Sequence, residues 1–189
     1  MKQAVPLNRF VVFLALAIGV CAADLATKTW AFRELGMPGP DSQTWWLWQG
    51  VFGFQTSLNE GALFGIGQGM TLLFAALSIG AAVGIFIWLF WAGAAEDWLL
   101  TIALACVMAG IFGNLYDRLG LPGLVWNGAY RGHLPGEPVY AVRDFILVMI
   151  GRWPWPTFNI ADSSLVCGAA LLVWHAFFAK TEVKEEKPA

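Results

Sequence analysis

The segment from Met70 to Gly93 contains no charged residue and is long enough to cross the apolar core of a membrane as one helix. Three further apolar segments, at about residues 9–31, 98–117 and 160–179, carry charges only towards their ends. Because lipid offers no hydrogen bonds to the backbone, apolar segments of this kind cross it as helices. We therefore predict an all-α membrane protein of one domain with four transmembrane helices, the second at about residues 70–92.

The composition agrees with this class of protein. Of the 189 residues, 58% are hydrophobic and only 13% are charged, whereas soluble domains contain about 25% charged residues. The formal net charge is -2 and there is no basic stripe, so no nucleic-acid partner is expected. The two histidines, His133 and His175, have no partner at ligand spacing, so no metal site is expected. The three cysteines lie far apart in apolar segments, which is typical of buried thiols: Cys21, Cys106 and Cys167.

The first apolar segment could also be a signal peptide, since Val20-Cys-Ala22 resembles a small-residue cleavage site. However, Asp24 and Lys28 continue the helical pattern beyond it, four residues apart on one face. Trp30 can then anchor the end of the helix at the membrane interface. An uncleaved first transmembrane helix is the better interpretation.

The segments between the spans carry different signals. Residues 44–49 (TWWLWQ) suit the lipid headgroup region, and residues 51–59 (VFGFQTSLN) have the composition of short strands. Residues 119–140 are rich in Gly and Pro and are interpreted as a long polar loop.

Four spans place both termini on one side of the membrane. Lys2, Arg9 and the lysines of the tail, residues 180–189, make that side the cytoplasm by the positive-inside rule. Residues 32–69 and 118–159 are then extracytoplasmic. Four arginines fall on that side against the rule, which points to a specific role for them: Arg118, Arg131, Arg143 and Arg152.

Polar residues gather at the extracytoplasmic ends of the spans, where ionisable groups are costly and therefore indicate function. Two of them, Asp144 and Asp162, flank a short apolar run and a Trp/Pro turn. Two carboxylates at one low-dielectric level cannot both ionise easily, so we expect them to share a proton. Aspartic proteases use this state to activate water.

Some of these polar residues also have a purely structural interpretation. Asp24 and Lys28 can form a local ion pair at the helix exit. Arg118 can reach the lipid headgroups, and Asn59 can serve as a turn residue before Gly61.

The two acids differ in this respect. Asp162 follows Asn159 at the spacing of a capping box, which gives it an ordinary role at the start of the fourth span. Asp144 stands directly before an apolar run, where a solvated acid is not expected. On the residues alone, an intramembrane aspartyl hydrolase and a small proton-coupled transporter that uses the acids as a relay both remain open. A structural adaptor would leave the paired acids unexplained.

Five motifs occur in order along nearly the whole chain, and together they resemble bacterial lipoprotein signal peptidase (signal peptidase II), a family of aspartic peptidases. The motifs are Asp24-Leu-Ala-Thr-Lys28, Asn59-Glu-Gly-Ala-Leu-Phe64, Gly113-Asn-Leu-Tyr-Asp-Arg118, Arg143-Asp-Phe145 and Phe158-Asn-Ile-Ala-Asp162.

The resemblance implies an endopeptidase that removes the signal peptide from diacylglyceryl-modified prolipoproteins by cutting before the lipidated cysteine. Asp144 and Asp162 would be the catalytic pair. The other polar residues would line or support the site: Asp24, Lys28, Asn59, Gly61, Asn114, Asp117, Arg118 and Asn159.

The resemblance also implies inhibition by globomycin, contact with membrane lipid, and no metal or organic cofactor. A single copy of the chain would work in the bacterial inner membrane, with its active site near the extracytoplasmic face. The Trp-rich segment and the strand-like segment after it would supply an interfacial amphipathic helix and a small extracytoplasmic β-cradle.

The chain departs from the family pattern in several places. Ala109 and Leu63 replace a usual Gly and Ala, and Arg143 stands where an apolar residue is commoner. The loop of residues 119–140 is also longer than the usual link. Its polar and aromatic residues form either an added lid over the site or a disordered insertion, and both alternatives stay open: Trp126, Tyr130, Arg131 and His133.

Overall fold

The structure, a computed structural model, describes residues 5–39, 42–62, 66–128 and 132–178. It contains four long helices, each long and apolar enough to cross a membrane, which confirms the predicted helical framework. A π-helical turn, Ile87–Trp91, extends the second helix, and a 3-10 turn, Ala94–Glu96, leads into the third. The helices are α1 (Leu7–Glu34), α2 (Thr71–Phe86), α3 (Trp98–Arg118) and α4 (Ile160–Phe178).

The helices are joined by a small antiparallel sheet, also as predicted. Its four strands lie side by side in chain order. The register between the second and third strands shifts between Phe54 and Ser57, which marks a β-bulge beside the candidate site. The strands are β1 (Trp45–Trp48), β2 (Phe52–Asn59), β3 (Val142–Ile150) and β4 (Trp153–Pro154).

The prediction of an interfacial helix at the Trp-rich segment is wrong, because this segment forms strand β1. Aromatic residues favour strands, where their rings pack across to neighbouring strands. The Trp45 ring lies 6.3 Å from the Phe54 ring of β2 and 5.7 Å from the Trp30 ring of α1, measured between centroids. These contacts tie the edge of the sheet to the first helix.

Helix α3 is the central helix and has the largest buried share of the four. It packs closely on α4 because small residues lie between them, as is common for helices in membranes. A Cβ atom on Gly110 would lie 2.5 Å from the Ala161 carbonyl oxygen of α4. Larger apolar side chains fill the space towards α1 and the π-helical turn, among them Phe13, Leu89, Leu104 and Met108.

Several predicted features lie outside the described residues. They are Lys2, the residues Leu63 and Phe64 of the second motif, the loop residues Tyr130 and Arg131, and the tail of residues 180–189.

Candidate active site

Strand β3 carries Asp144 to the junction between the sheet and the helices. Asp144 lies opposite Ser57 of β2, on the far side of the bulge, and only 2% of it is exposed. The preceding strand residues, Val142 and Arg143, are buried as well. The apolar run after Asp144 is therefore a strand of the sheet, which explains how an acid can precede it.

The first turn of α4 supplies the second acid. The backbone N–H of Asp162 donates to Asn159 Oδ1 at 2.8 Å, and the Asn159 N–H donates to Asp162 Oδ2 at 3.2 Å. This reciprocal pattern is that of a capping box, so the structural interpretation of these two residues is correct. Asn159 has a second contact beyond this capping box, because its Nδ2 also donates to Asp144 Oδ1 at 2.6 Å.

Asn114 of α3 completes the link between the acids. Its Nδ2 donates to Asp162 Oδ1 at 2.8 Å, and its Oδ1 accepts from Asn159 Nδ2 at 3.2 Å. Asp144 and Asp162 are therefore joined through the amides of Asn114 and Asn159. Asn114, Asp144 and Asp162 line one cavity of about 240 Å³, whereas Asn159 is buried behind its wall. The walls of this cavity come from α2, α3, α4 and the turn before α4.

Burial raises the pKa of Asp144 well above its ordinary range, and the nearby charge of Asp162 raises it further. The hydrogen bond from Asn159 and the charge of Lys28 act in the opposite direction but are weaker. Both effects favour the protonated form of Asp144. The shared proton that the sequence suggested for the two acids stays a prediction.

An ion-pair network lies beneath the acids. Lys28 Nζ lies 2.8 Å from Asp24 Oδ2 and 3.0 Å from Asp117 Oδ2, and all three side chains are fully buried. Lys28 also donates to Asn114 Oδ1 at 3.0 Å, which connects the network to the acids. The Asp24–Lys28 pair is therefore more than a local contact, because it joins α1 to α3.

Gly113 makes room for this network. A Cβ atom at this position would lie 2.5 Å from Asp24 Oδ2. Asp24 in turn accepts a hydrogen bond of 2.8 Å from the Ala161 N–H at the start of α4. The glycine of the third motif thus allows α1, α3 and α4 to meet at one buried acid.

Arg143 is a residue of this region that was missing from the predicted site. Its Nε donates to Asp117 Oδ1 at 2.8 Å, and its backbone N–H donates to Asp117 Oδ2 at 3.1 Å. The contact fixes the strand residue directly before Asp144 to the end of α3. The signal available in the sequence was an arginine directly before Asp144 and its apolar run.

Asn59, Gly61 and Arg118 form a third group at the rim of the cavity. The Asn59 side chain accepts from the Gly61 N–H at 3.0 Å, so Asn59 is a turn residue as well as a cavity residue. Arg118 Nη2 donates to the Gly61 carbonyl oxygen at 2.9 Å. Arg118 is therefore directed to this turn and the cavity, and the interpretation that it reaches headgroups does not hold.

A second cavity of the described residues has a different character. A larger cavity of about 720 Å³ lies between α1, α2 and α3 and is lined almost entirely by apolar side chains. Among the residues that the structure describes, no group of three or more His, Cys, Asp or Glu side chains is placed to hold a metal ion.

The chain is similar to known proteins along most of its length. The family described as "Signal peptidase (SPase) II" matches residues 16–178. A lipoprotein signal peptidase of Rhodopirellula baltica is 46% identical over 175 residues, which cover 92% of this chain and 75% of the relative. A lipoprotein signal peptidase of Mycobacterium avium is 34% identical over 92% of this chain and 82% of its own length.

A solved structure supports the fold. A bacterial membrane enzyme, determined by the in meso method at 2.3 Å resolution, superposes with a TM-score of 0.73 at 23% identity, covering 100% of this chain and 99% of that one. The family match and the extent of the identity show that the chain belongs to the signal peptidase II family of peptidases.

Proposed function

We propose that this chain is a membrane aspartic endopeptidase that removes the signal peptide from diacylglyceryl-modified prolipoproteins, cutting on the N-terminal side of the lipidated cysteine. The substrate class is that of its relatives, which are named lipoprotein signal peptidases. The aspartic chemistry rests on one observation: Asp144 and Asp162 line one cavity and are joined through the same amides.

The two acids lie in environments that suit different tasks. Asp162 sits in the first turn of α4, where the helix N-terminus favours an anion, and it accepts hydrogen bonds from Asn114 and from the Asn159 backbone. Asp144 is buried and its raised pKa favours the protonated form. We assign Asp162 as the resting base and Asp144 as the resting acid.

The reaction then needs no group beyond the pair and a water molecule. Asp162 takes a proton from the water as its oxygen bonds to the scissile carbonyl carbon, and Asp144 gives its proton to the carbonyl oxygen. When the tetrahedral diol collapses, the C–N bond breaks and the proton on Asp162 passes to the leaving α-amine of the cysteine. One hydroxyl proton of the diol returns to Asp144, which restores the starting state.

Arg118 and the turn of residues 59–62 would orient the substrate backbone. Arg118 Nη2 is occupied by the Gly61 carbonyl, whereas its buried Nε has no hydrogen-bond partner within the part of the chain that the structure describes. A buried donor without a partner is unfavourable, and a substrate carbonyl in the cavity would satisfy it. Asn59 lies on the same wall of the cavity.

We place the site near the extracytoplasmic face of the membrane, with both termini in the cytoplasm. Trp48 and Trp153, on the two edge strands, are largely exposed and suit the headgroup region. At the opposite end, Arg9 Nε donates to the Ala95 carbonyl, which puts the start of α1 beside the α2–α3 connection. The acyl chains of the substrate would stay in lipid while the peptide enters the cavity.

The test is cleavage of a lipidated prolipoprotein by the purified protein in detergent. The measured quantity is the rate at which the signal peptide is released. We expect the parent protein to cleave, globomycin to block it, and Asp144→Asn and Asp162→Asn each to lower kcat by at least about 10³-fold, because neither proton transfer can proceed. Glu34→Gln changes an exposed acid at the end of α1 and serves as the matched control. A folded Asp→Asn variant with near-normal turnover would refute the assigned chemistry.

The proton-coupled transporter considered from the sequence is not supported. The relatives that match most of the chain are named as peptidases.

A further inference from the structure

The loop between α3 and β3 is anchored to the body of the protein. The Trp126 N–H donates to the Glu137 carbonyl at 2.9 Å, and the Val139 N–H donates to the Leu124 carbonyl at 2.9 Å, so two arms of the loop run side by side. Trp126 is buried in an apolar cluster with Leu58 of β2 and with Phe32, Val139 and Ala141. Over its described residues, 119–128 and 132–140, the loop is thus a packed arm.

His133 joins this arm to the candidate site. Its ring stacks on Trp126, with centroids 4.6 Å apart and planes 6° from parallel. Its Nε2 lies 2.7 Å from Glu60 Oε1, and its Nδ1 lies 3.3 Å from Glu137 Oε2. Among the described residues, Glu60 from the turn after β2 and Glu137 from the loop are the charged groups in contact with the ring.

Both ring nitrogens of His133 face a carboxylate oxygen, which accepts hydrogen bonds when ionised. A neutral imidazole has one N–H and can donate to only one of the two carboxylates, while the other nitrogen presents a lone pair to an anion. The imidazolium has two N–H groups and can donate to both. The geometry therefore fits the protonated ring.

Glu60 lies within the turn that forms one wall of the cavity. Its neighbours are Asn59, which lines the cavity, and Gly61, whose carbonyl accepts from Arg118. The Glu60 carbonyl accepts from Thr71 Oγ1 at 3.2 Å, which fixes the backbone of the turn to the start of α2. The side chain of Glu60 is the part of the turn that His133 holds.

We propose that His133 is a positioning residue of the peptidase: as an imidazolium it holds the turn of residues 59–62 against the cavity through Glu60, with Trp126 and Glu137 fixing the ring. This inference rests on the proposed function. The double contact needs both N–H groups of the ring, so it is complete in the imidazolium and is weakened when the ring loses a proton. The hydrogen bonds that join Asp144 and Asp162 in the described part of the chain do not include His133 or Glu60.

The first test measures kcat/KM for a lipidated prolipoprotein from pH 5.5 to 8.5 in the parent and in His133→Gln. We expect the variant to be roughly three- to tenfold slower at pH 6, as for loss of one hydrogen bond, and to approach the parent at pH 8.5. The ratio of the two rates isolates His133, because titration of the catalytic pair affects both proteins equally. Glu137→Gln keeps the contact to Glu60 and should give a smaller change at pH 6.

The control is His175→Gln, which removes the other histidine, paired with Asp97 Oδ2 at 2.7 Å at the far end of α3 and α4. Its rate should be a constant fraction of the parent rate across this pH range. A parent-to-His133→Gln ratio that is equally constant would overturn the proposal, because a contact made by the imidazolium must weaken when the ring loses its proton.

A second measurement does not depend on activity. Amide hydrogen exchange of the peptide that contains residues 59–62 should be faster in His133→Gln than in the parent at pH 6, with a smaller difference at pH 8. If the parent cleaves no substrate, this comparison alone decides the proposal, and the proposed function is what has failed. If the parent cleaves but neither the rate ratio nor the exchange changes, the proposed function stands and the role of His133 is refuted.

Discussion

At the scale of single residues, the proposed catalytic role of Asp144 requires a buried acid, which is costly for stability. Burial and the charge of Asp162 raise its pKa, so folding disfavours its ionised form. Its contribution to stability is complete below the ordinary aspartate pKa and is lost as the pH rises through the raised pKa of the folded state. An asparagine side chain has the same shape but no charge, so it does not lose stability as the pH rises.

We therefore expect Asp144→Asn to abolish activity and yet to stabilise the fold at pH 8 by about 1–2 kcal/mol. The asparagine oxygen can still accept the hydrogen bond from Asn159. Thermal unfolding in detergent at pH 5 and pH 8 measures the effect, and the gain should be smaller at pH 5. A variant that is less stable than the parent at pH 8 would contradict this account of Asp144.

Lys28 is the residue on which the buried network depends. It lies between Asp24 and Asp117, both fully buried, and removing its charge leaves two carboxylates with insufficient compensation. We expect Lys28→Met to lower the free energy of unfolding by about 3–5 kcal/mol, as when one member of a buried ion pair is removed. Arg33→Met, at the exposed end of the same helix, is the matched control and should change the unfolding temperature little.

At the scale of elements, the contact between α3 and α4 sets the distance between the residues of the site. Asn114 comes from α3 and Asp162 from α4, and their hydrogen bond of 2.8 Å requires the two helices to approach closely. Gly110 lies at the closest point, against the Ala161 carbonyl. A side chain there would push the helices apart.

Gly110→Ala should therefore destabilise the protein by about 1–3 kcal/mol and lower its activity as well, because the overlap is with backbone that cannot rotate away. Gly80→Ala in α2 is the matched control, because it makes the same substitution at a helical glycine that has no close neighbour. Nothing lies within 4 Å of a Cβ atom at Gly80, so this change should stabilise the helix by about 0.5–1 kcal/mol. Equal effects of the two substitutions on unfolding and on cleavage would rule out this role of Gly110.

At the scale of the whole molecule, the sheet and the α2–α3 connection lie at opposite ends of the helices and should lie on opposite sides of the membrane. Gln49, between β1 and β2, and Glu96, before α3, are both exposed. With the three native cysteines replaced, a membrane-impermeant maleimide should label Gln49→Cys in intact spheroplasts. It should label Glu96→Cys only after the membrane is opened, and the reverse pattern would invert the proposed orientation.

Much of this architecture was predictable from local sequence. Membrane spans follow from the hydropathy of a continuous segment, so the absence of charge from Met70 to Gly93 was sufficient for α2. Two further features depend only on near neighbours in the chain and could be predicted in the same way. They are the capping pair Asn159 and Asp162 and the strand after Val51. The order of five short motifs then predicted the family, which the comparisons confirm.

Only the tertiary structure decided which residues distant in the chain contact one another. Arg143 meets Asp117, Asn159 meets Asp144 and Asn114 together, and His133 meets Glu60, 73 residues away. The tryptophans of β1 form a strand because a partner strand and α1 offer rings to pack against. Charges and amides show in the sequence that they need partners, but a buried polar group takes the partner that the packing of helices and sheet brings within about 3 Å.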